Sequence, residues 1–531
     1  MRRYLRVPRI NSGGRDTLPT LNDVQIASGN NPVSYRLPPT VGPHRRTGCH
    51  LFGGCIKISL LLLALTARAQ PERRTAPTDT ARVFAFSDMA DLITANHPLV
   101  RLANSLPDEA RQEVLQARGF FDPKLTSDYD RKQFGDVSKP NSLYYNNWTN
   151  ELKVPVWLGG ADFKLTYDRF TGARVNPEYQ TPNVGLLGVG VSVPIGQGLL
   201  IDARRTALRQ AQLLPSLANA ERVKQINKLW LSAAKDYWNW YLAQRQVELL
   251  RDGFQLADTR FQAVKQRVEL GDAAAIDSVE AHITVQDRQV QLEQALVNLQ
   301  NARLIVSTYL WNEAGQPVEL PARAVPQTAF EGLVDESLFL SLNGRAAEVH
   351  PELVSLDLKI RQQVLEEQFR RAMLQPQLSV SGQLLSQANT PTLADRQQYG
   401  FGWNNYKVGV DFALPLFLRK ERGKLRQVQI KTQQLRFDRI QTNRDVLNGV
   451  STAYNEIKAI DRQISLQADA VRNQKLLLRA EQQRFELGES SLFLVNTRET
   501  KLIDMQIKLE ELRSKYQKAV AELYYAAGGR G

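Results

Sequence analysis

Apolar side chains in residues 247–268 return every three or four positions, at Val247, Leu250, Phe254, Ala257, Phe261, Val264 and Val268. This is the spacing of a coiled-coil seam and predicts a long helix that stops at Leu270. Leu502, Met505, Leu509, Leu512 and Tyr516 repeat the pattern near the C-terminus, and Val285, Leu292, Leu299 and Val306 recur at seven-residue spacing between the two. From about Ala203 to Leu270 the only breakers are Pro215, near the start, and Gly253. One helix is predicted there, roughly 100 Å long at ~1.5 Å per residue.

Other segments alternate with period two. In "YKVGVDFALPLF", residues 406–417, Val408, Val410, Phe412 and Leu414 point one way, and Lys407, Gly409, Asp411 and Ala413 the other. "LLGVGVSVPI", residues 186–195, sets Leu187, Val189, Val191, Val193 and Ile195 against Gly188, Gly190, Ser192 and Pro194. Each predicts a strand with one apolar face. Aromatic residues gather nearby, among them Trp148, Trp157, Tyr167, Trp403 and Tyr406. Such strands fit either a periplasmic β-sandwich or a piece of membrane barrel whose apolar face meets lipid. A few strands interrupting very long helices favour the barrel, closed by several copies of the chain together.

The pattern occurs twice. "KQRVELGDAAAIDSVEA" (265–281) and "QQRFELGESSLFLVNTR" (482–498) stop a helix at Gly271 and Gly488 and restart one at once, so Arg267, Leu270 and Gly271 recur as Arg484, Leu487 and Gly488. "HPLVRLANSLPDEARQEVLQARGFFDP" (97–123) matches "HPELVSLDLKIRQQVLEEQFRRAMLQP" (350–376) without a gap, and a second ungapped match runs from "LRQAQ" and "LRQVQ" through Tyr237 and Tyr454 to the two glycines. The spacing between the blocks differs, so the first half carries an insertion in its strand region. One supersecondary unit is used twice, each copy burying the other's apolar face. The expected organisation is an N-terminal extension with an export signal (1–69), a first repeat (70–330) and a second (331–531).

The formal net charge is +13, but residues 1–69 hold ten Lys and Arg against Asp16 and Asp23, and the remainder shows no basic run. A nucleic-acid footprint is not supported. "CIKISLLLLALTARAQ", residues 55–70, has the form of an export signal cleaved after Ala69, which would make Gln70 the mature start. Cys49 and Cys55 both precede that point, so the mature chain is expected to lack disulfides, thiol metal sites and an acyl anchor. His97, His282 and His350 are isolated, and two of them sit before Pro at the repeated helix start, where capping explains them better than ligation. No phosphate-binding loop or nucleophile constellation is present, and neither enzyme nor cofactor is expected.

Taken together, the export signal, the duplicated helix–strands–helix–hairpin unit, the Val-Pro-Ile and Leu-Pro-Leu turns at 193–195 and 414–416, and the paired R-x-E-L-G tips resemble the TolC-like outer-membrane efflux family. The resemblance implies a mostly α fold with a small membrane β-barrel portion. It implies a homotrimer whose four strands per subunit form one twelve-stranded wall in outer-membrane lipid, above a long coiled-coil α-barrel in the periplasm. It also implies that the tips, Arg267, Leu270, Gly271, Arg484, Leu487 and Gly488, meet a periplasmic adaptor and through it an inner-membrane transporter. Two departures stand out. "VPVWLGGADFKLTYDRF", residues 154–170, looks like an added hairpin around Gly159-Gly160, and Leu494 and Thr497 stand after the second tip where the family often has acids. Asp277 and Glu280 follow the first tip instead, three apart and so on one helix face, as candidate pore-mouth acids. The function expected is passive export through the outer membrane; the alternative from another class is a periplasmic coiled-coil spacer or adaptor.

Overall fold

The computed structural model describes residues 82–136, 139–329, 334–388 and 399–529. The export signal, its cleavage point, Gln70 and both cysteines lie outside them. A short strand, β1 (Arg82–Phe84), leads into α1 (Phe86–Asn96) and α2 (Pro98–Arg118). Four strands follow: β2 (Lys124–Asp136), β3 (Lys139–Pro155), β4 (Asp162–Thr171) and β5 (Leu186–Pro194). The first long hairpin comes next, as α3 (Ala203–Ala211), α4 (Leu214–Glu269) and α5 (Ala275–Ser307), closed by β6 (Ala324–Pro326). The second half repeats the order with α6 (Glu336–Val349), α7 (Pro351–Ala372), β7 (Gln377–Ala388), β8 (Tyr399–Ala413), α8 (Arg419–Glu486) and α9 (Leu492–Ala526).

The single helix expected from Ala203 to Leu270 is broken at Gln212–Leu213 into α3 and α4. Pro215 is the cause. It lacks an N–H and clashes with the preceding turn, so it is accommodated only where a helix begins, and α4 restarts with it in the first turn. α4 still runs for 56 residues and α8 for 68, about 84 and 100 Å at ~1.5 Å per residue. The repeated His-Pro starts are helix caps. Nδ1 of His97 accepts the Leu99 N–H at 3.2 Å, Nδ1 of His350 accepts that of Glu352 at 3.3 Å, and each Pro follows at the first helical position.

Two cores are built from matching positions. Met89 and Ile93 of α1 pack with Tyr237, Trp240 and Val306 in the first, and Leu342 and Ala346 of α6 pack with Tyr454, Ile457 and Leu523 in the second. The matched tyrosines are held differently. Tyr237 donates its hydroxyl to the Phe84 carbonyl at 2.7 Å and accepts the Gln327 N–H at 2.9 Å, bridging the parallel pair β1–β6. Tyr454 stacks on Phe339 with ring centroids 4.3 Å apart. Along the helices, α4 packs against both α5 and α9, and α9 also packs against α8. The predicted seam is there: Val247, Leu250, Ala257 and Val264 of α4 are buried.

Above the helices lies one antiparallel sheet of six strands, in the order β2-β3-β4-β5-β7-β8. This corrects the four strands per subunit implied by the resemblance. The Pro-flanked match of the two halves makes β2 equivalent to β7 and β5 equivalent to β8. β3 and β4 are therefore the insertion, and the predicted turn at Gly159-Gly160 joins them. Leu414 and Ile195, counted with the alternating faces, fall just past the ends of β8 and β5.

Candidate functional site

The two faces of the sheet differ in chemistry, and the register carries each face across every strand. One row reads Leu152, Leu165, Val189, Leu384 and Tyr406; the next reads Val154, Phe163, Val191, Gly382 and Val408. The opposite face reads Lys153, Lys164, Gly190, Gln383 and Lys407 in register. Among the described residues this sheet has nothing packed on its apolar side to make a core, and Leu125, Val408, Val410 and Phe412 are exposed there. Trp148 and Tyr167 meet edge-on at 5.6 Å on the same side, the amphipathic ring type that marks a membrane interface. A face so apolar is suited to lipid and its partner to a wet lumen.

The helices show an unfilled face of their own. On α5, Val285, Leu292, Leu299 and Val306 form the seam toward α4, and Ala295 between them joins the cluster with Val247 and Leu250. A second stripe, Ile276, Ile283, Val290, Val297 and Leu304, recurs at the same seven-residue spacing and is exposed along its whole length. It lies two residues out of phase, roughly 200° around the helix at ~100° per residue. A helix with apolar seams on opposite sides sits between two neighbours; among the described residues α4 packs along α5, and α9 touches it over a much shorter stretch.

Both hairpin tips close alike. Gly271 and Gly488 take φ of 82° and 80°, the left-handed region that glycine enters without a Cβ penalty. The Gly271 N–H bonds the Val268 carbonyl and the Asp272 N–H that of Arg267; Gly488 bonds Phe485 and Glu489 bonds Arg484 in the same way. This is the paired 6→1 and 5→2 closure of a Schellman motif. Nothing lies within 4 Å of a Cβ placed at either glycine, and Leu270 and Leu487 are 77% and 75% exposed. Arg267 is also exposed, and Arg484 reaches the Glu489 carbonyl at 3.4 Å. All six predicted tip residues thus lie at or beside two free ends.

Asp277 and Glu280 fall in the first two turns of α5, both half-buried and on one face, with no carboxylate partner among the described residues. Glu280 borders a cleft between α5 and α9 that also contains Asp287, Arg288, Lys501 and Asp504. Their counterparts on α9 are Leu494 and Thr497. Nearby, sequence reasoning missed a polar tie between the two hairpins. Arg260 of α4 pairs with Glu499 of α9 and donates to Asn496 Oδ1 at 2.8 Å, while the buried Arg288 of α5 donates to Thr500 Oγ1 at 2.7 Å. Farther along, burial and the adjacent Glu510 push the Tyr241 phenol up, so it stays protonated and donates to Glu510 at 2.6 Å. Arg260 and Glu499 look like ordinary solvated helix residues in sequence, and only the crossing of α4 with α9 buries them. Among the described residues, no group of three or more His, Cys, Asp or Glu is placed to hold a metal, and no helix is long and apolar enough to cross a membrane.

Residues 342–529 match the family model described as "Outer membrane efflux protein". The chain is 23% identical over 332 residues to the pyoverdine export outer membrane protein OpmQ of Pseudomonas aeruginosa, an alignment spanning 61% of this chain and 66% of OpmQ. It is 21% identical over 379 residues to the outer membrane protein TolC of Vibrio cholerae, covering 67% and 80% of the two chains. In fold it is similar to the open state of the Neisseria gonorrhoeae MtrE outer membrane channel, with a TM-score of 0.60, 15% identity, and 83% and 88% of the chains covered.

Proposed function

We propose that this chain, whose second half matches the outer-membrane efflux family and whose relatives are outer-membrane export proteins, is a TolC-like outer-membrane channel through which substrates delivered by an inner-membrane pump and a periplasmic adaptor pass without chemistry. The observation that carries this reading is the change of character along one unit: a sheet with a continuous apolar face continues into long helices that end in two matched, free tips. A periplasmic spacer would have to hide that apolar face from water, and no described element covers it.

The working form is a homotrimer of the two repeats, 70–330 and 331–531. Two features support it. The edges β2 and β8 each have a row of backbone groups that lipid cannot hydrogen-bond, at several kcal/mol for each one left unmade. The unfilled stripe of α5 has its counterpart on α9, and α9 packs against α4 within the chain. By the logic of the repeat, the stripe packs against α8 of the next copy. Native mass measurement of detergent-extracted protein is expected to give three chains; a stable inserted monomer would overturn the reading.

Arg267, Leu270, Gly271 and Arg484, Leu487, Gly488 are the adaptor contacts in this reading. An exposed Leu on a rigid turn, flanked by an Arg, offers an apolar anchor with a charged rim. The variant Leu270→Asp, Leu487→Asp is expected to assemble and insert normally but to abolish export. Asp277 and Glu280 line the periplasmic mouth, where three copies bring six carboxylates around one axis and favour cations. In planar bilayers the Asp277→Ala, Glu280→Ala variant is expected to show weaker cation preference and less block by multivalent cations. Unchanged selectivity and block would return both acids to an ordinary solvated face.

A further inference from the structure

We infer that three copies of this chain close a barrel of eighteen strands, half as wide again as the twelve-stranded wall implied by the resemblance, with the β3–β4 hairpin built into the wall of the exit. The inference rests on the trimer proposed above and on six strands from each chain.

The inserted hairpin is part of the ladder. β3 pairs with β2 on one side and with β4 on the other, and β4 pairs with β5. A tilted strand needs ~9–11 residues to cross a bilayer. β3 has 17 and β4 has 10, so both are long enough. Their faces also fall in phase with the rest: Leu152, Val154, Phe163 and Leu165 continue the apolar side, and Glu151, Lys153, Lys164 and Thr166 the polar one. A hairpin lying outside the wall would have no reason to keep that phase.

Two contacts tie the insertion to its neighbours. On the lumen side, Gln383 of β7 reaches over β5 and donates to Thr166 Oγ1 of β4 at 2.6 Å. The reach passes above Gly188, where a Cβ would come within 2.0 Å of the Gln383 amide nitrogen. At the helix end, Asp162 pairs with Lys153 at 3.0 Å and with Arg204 of α3 at 2.8 Å, while Arg204 also donates to the Gly160 carbonyl at 3.2 Å. The turn of the hairpin is thereby fastened to the base of a helix.

The wall closes without conflict. Every neighbouring pair in the sheet is antiparallel, so with an even number of strands β2 and β8 run in opposite directions, and β8 can pair with β2 of the next copy in the same manner. Their lengths, 13 and 15 residues, are compatible. Circumference permits the wider wall. Strands ~4.8 Å apart and tilted ~40° need about 110 Å for eighteen and about 75 Å for twelve. Four helical segments per chain meet the sheet, namely α2, α3 with α4, α7 and α8, and twelve such staves from three copies occupy about 95–120 Å at interaxial distances of ~8–10 Å. The wider barrel fits the cylinder beneath it.

Electron cryomicroscopy of the full-length protein in lipid nanodiscs counts the strands directly, and eighteen with residues 139–171 in the wall is the expected result. Twelve strands around three chains, with that hairpin outside, overturns the inference and leaves the trimer standing; any other number of chains overturns the trimer first. Cysteine labelling gives an independent readout, because Cys49 and Cys55 precede the proposed cleavage point and no other cysteine competes. Thr166→Cys is expected to react with a water-soluble maleimide through the lumen, whereas Leu165→Cys is protected by lipid. Equal labelling at the two positions places the hairpin outside the wall and overturns the inference.

Discussion

The two hairpin tips end their first helices with the same Leu, the same left-handed Gly and the same pair of backbone bonds, yet the helices that leave them begin differently. Ser491 accepts the Leu494 N–H on its hydroxyl, and Ala274, at the matching position, has no side-chain oxygen to offer. The difference widens with distance from the tip. Ile276, Ile283, Val290, Val297 and Leu304 stand exposed on α5. The matching positions on α9 are Phe493, Thr500, Ile507, Ser514 and Ala521; there Ile507 packs near Val247 and Leu250, and Ser514 donates to the Trp238 carbonyl at 2.7 Å. Beyond Phe493, which is itself exposed, that face of α9 is spent inside the chain, and its twin on α5 is left open. Duplication supplied the unit twice, and later divergence decided which copy closes the protomer and which, in the proposed trimer, is left for the next one.

The strongest way to break this comparison is to spoil the open face alone. Val290→Glu with Val297→Glu would bury two unpaired carboxylates per interface, at several kcal/mol each, and is expected to abolish the trimer on native mass measurement while leaving the α4–α9 contact intact. A trimer that survives would mean that this stripe is not the seam.

Next in size is the tie that only the closed side possesses. Arg260→Ala strands Glu499, whose side chain is 4% exposed, and is expected to cost about 3–5 kcal/mol, visible as a lower Tm. The position matching Arg260 is Leu477, which is partly exposed, and Leu477→Ala should cost clearly less. Comparable losses at the two sites would remove the asymmetry.

The tips themselves should respond equally. Gly271→Ala and Gly488→Ala each force a Cβ into the left-handed region at about 1–2 kcal/mol, with nothing nearby to add to it. A markedly larger loss at one tip would show that the two turns are not equivalent.

The smallest effect concerns the matched caps. Burial holds the His97 and His350 imidazoles below their usual 6.5, so the unfolded chain takes up protons first as pH falls. Their contribution to stability is full above about pH 6.5 and declines below it, because the unfolded chain binds these protons more readily than the buried rings do. The double variant His97→Asn, His350→Asn keeps an acceptor without a titration and should lose part of the Tm decrease between pH 7.5 and 5.5. An identical decrease in wild type and variant would assign the pH dependence to other groups.

Much of this was legible wherever local pattern sufficed. The tip glycines, the seam of α4 and the faces of Val189 and Val408 follow from spacing, because one period describes each element. Pro215 stands out in the sequence but its consequence does not, since a breaker near a helix start can either be absorbed or split the helix. β3 was harder: Asn146, Asn147 and Asn150 interrupt any simple alternation, and its strand character comes from pairing with β2 and β4. The expectation of four strands per subunit came from the resemblance and not from residues, which is why the insertion overturned it. The exposed stripe of α5 could have been found, since its five members recur at seven-residue spacing; whether its neighbour lies in the same chain is a tertiary fact.

The missing cap at Ala274 has a consequence in time as well as in energy. Without a side-chain acceptor the first amides of α5 are expected to fray, so hydrogen exchange at 275–278 should outpace that at 492–495. A partner that grips both hairpin ends must then still the first before holding it, while the second is already ordered and loses less conformational entropy on contact. Occupancy would begin at Leu487 and proceed to Leu270, giving a docking order along the rim. Titrating a partner against single-tip variants would reveal it: loss of the second tip would slow the first encounter, and loss of the first would shorten the lifetime of the complex.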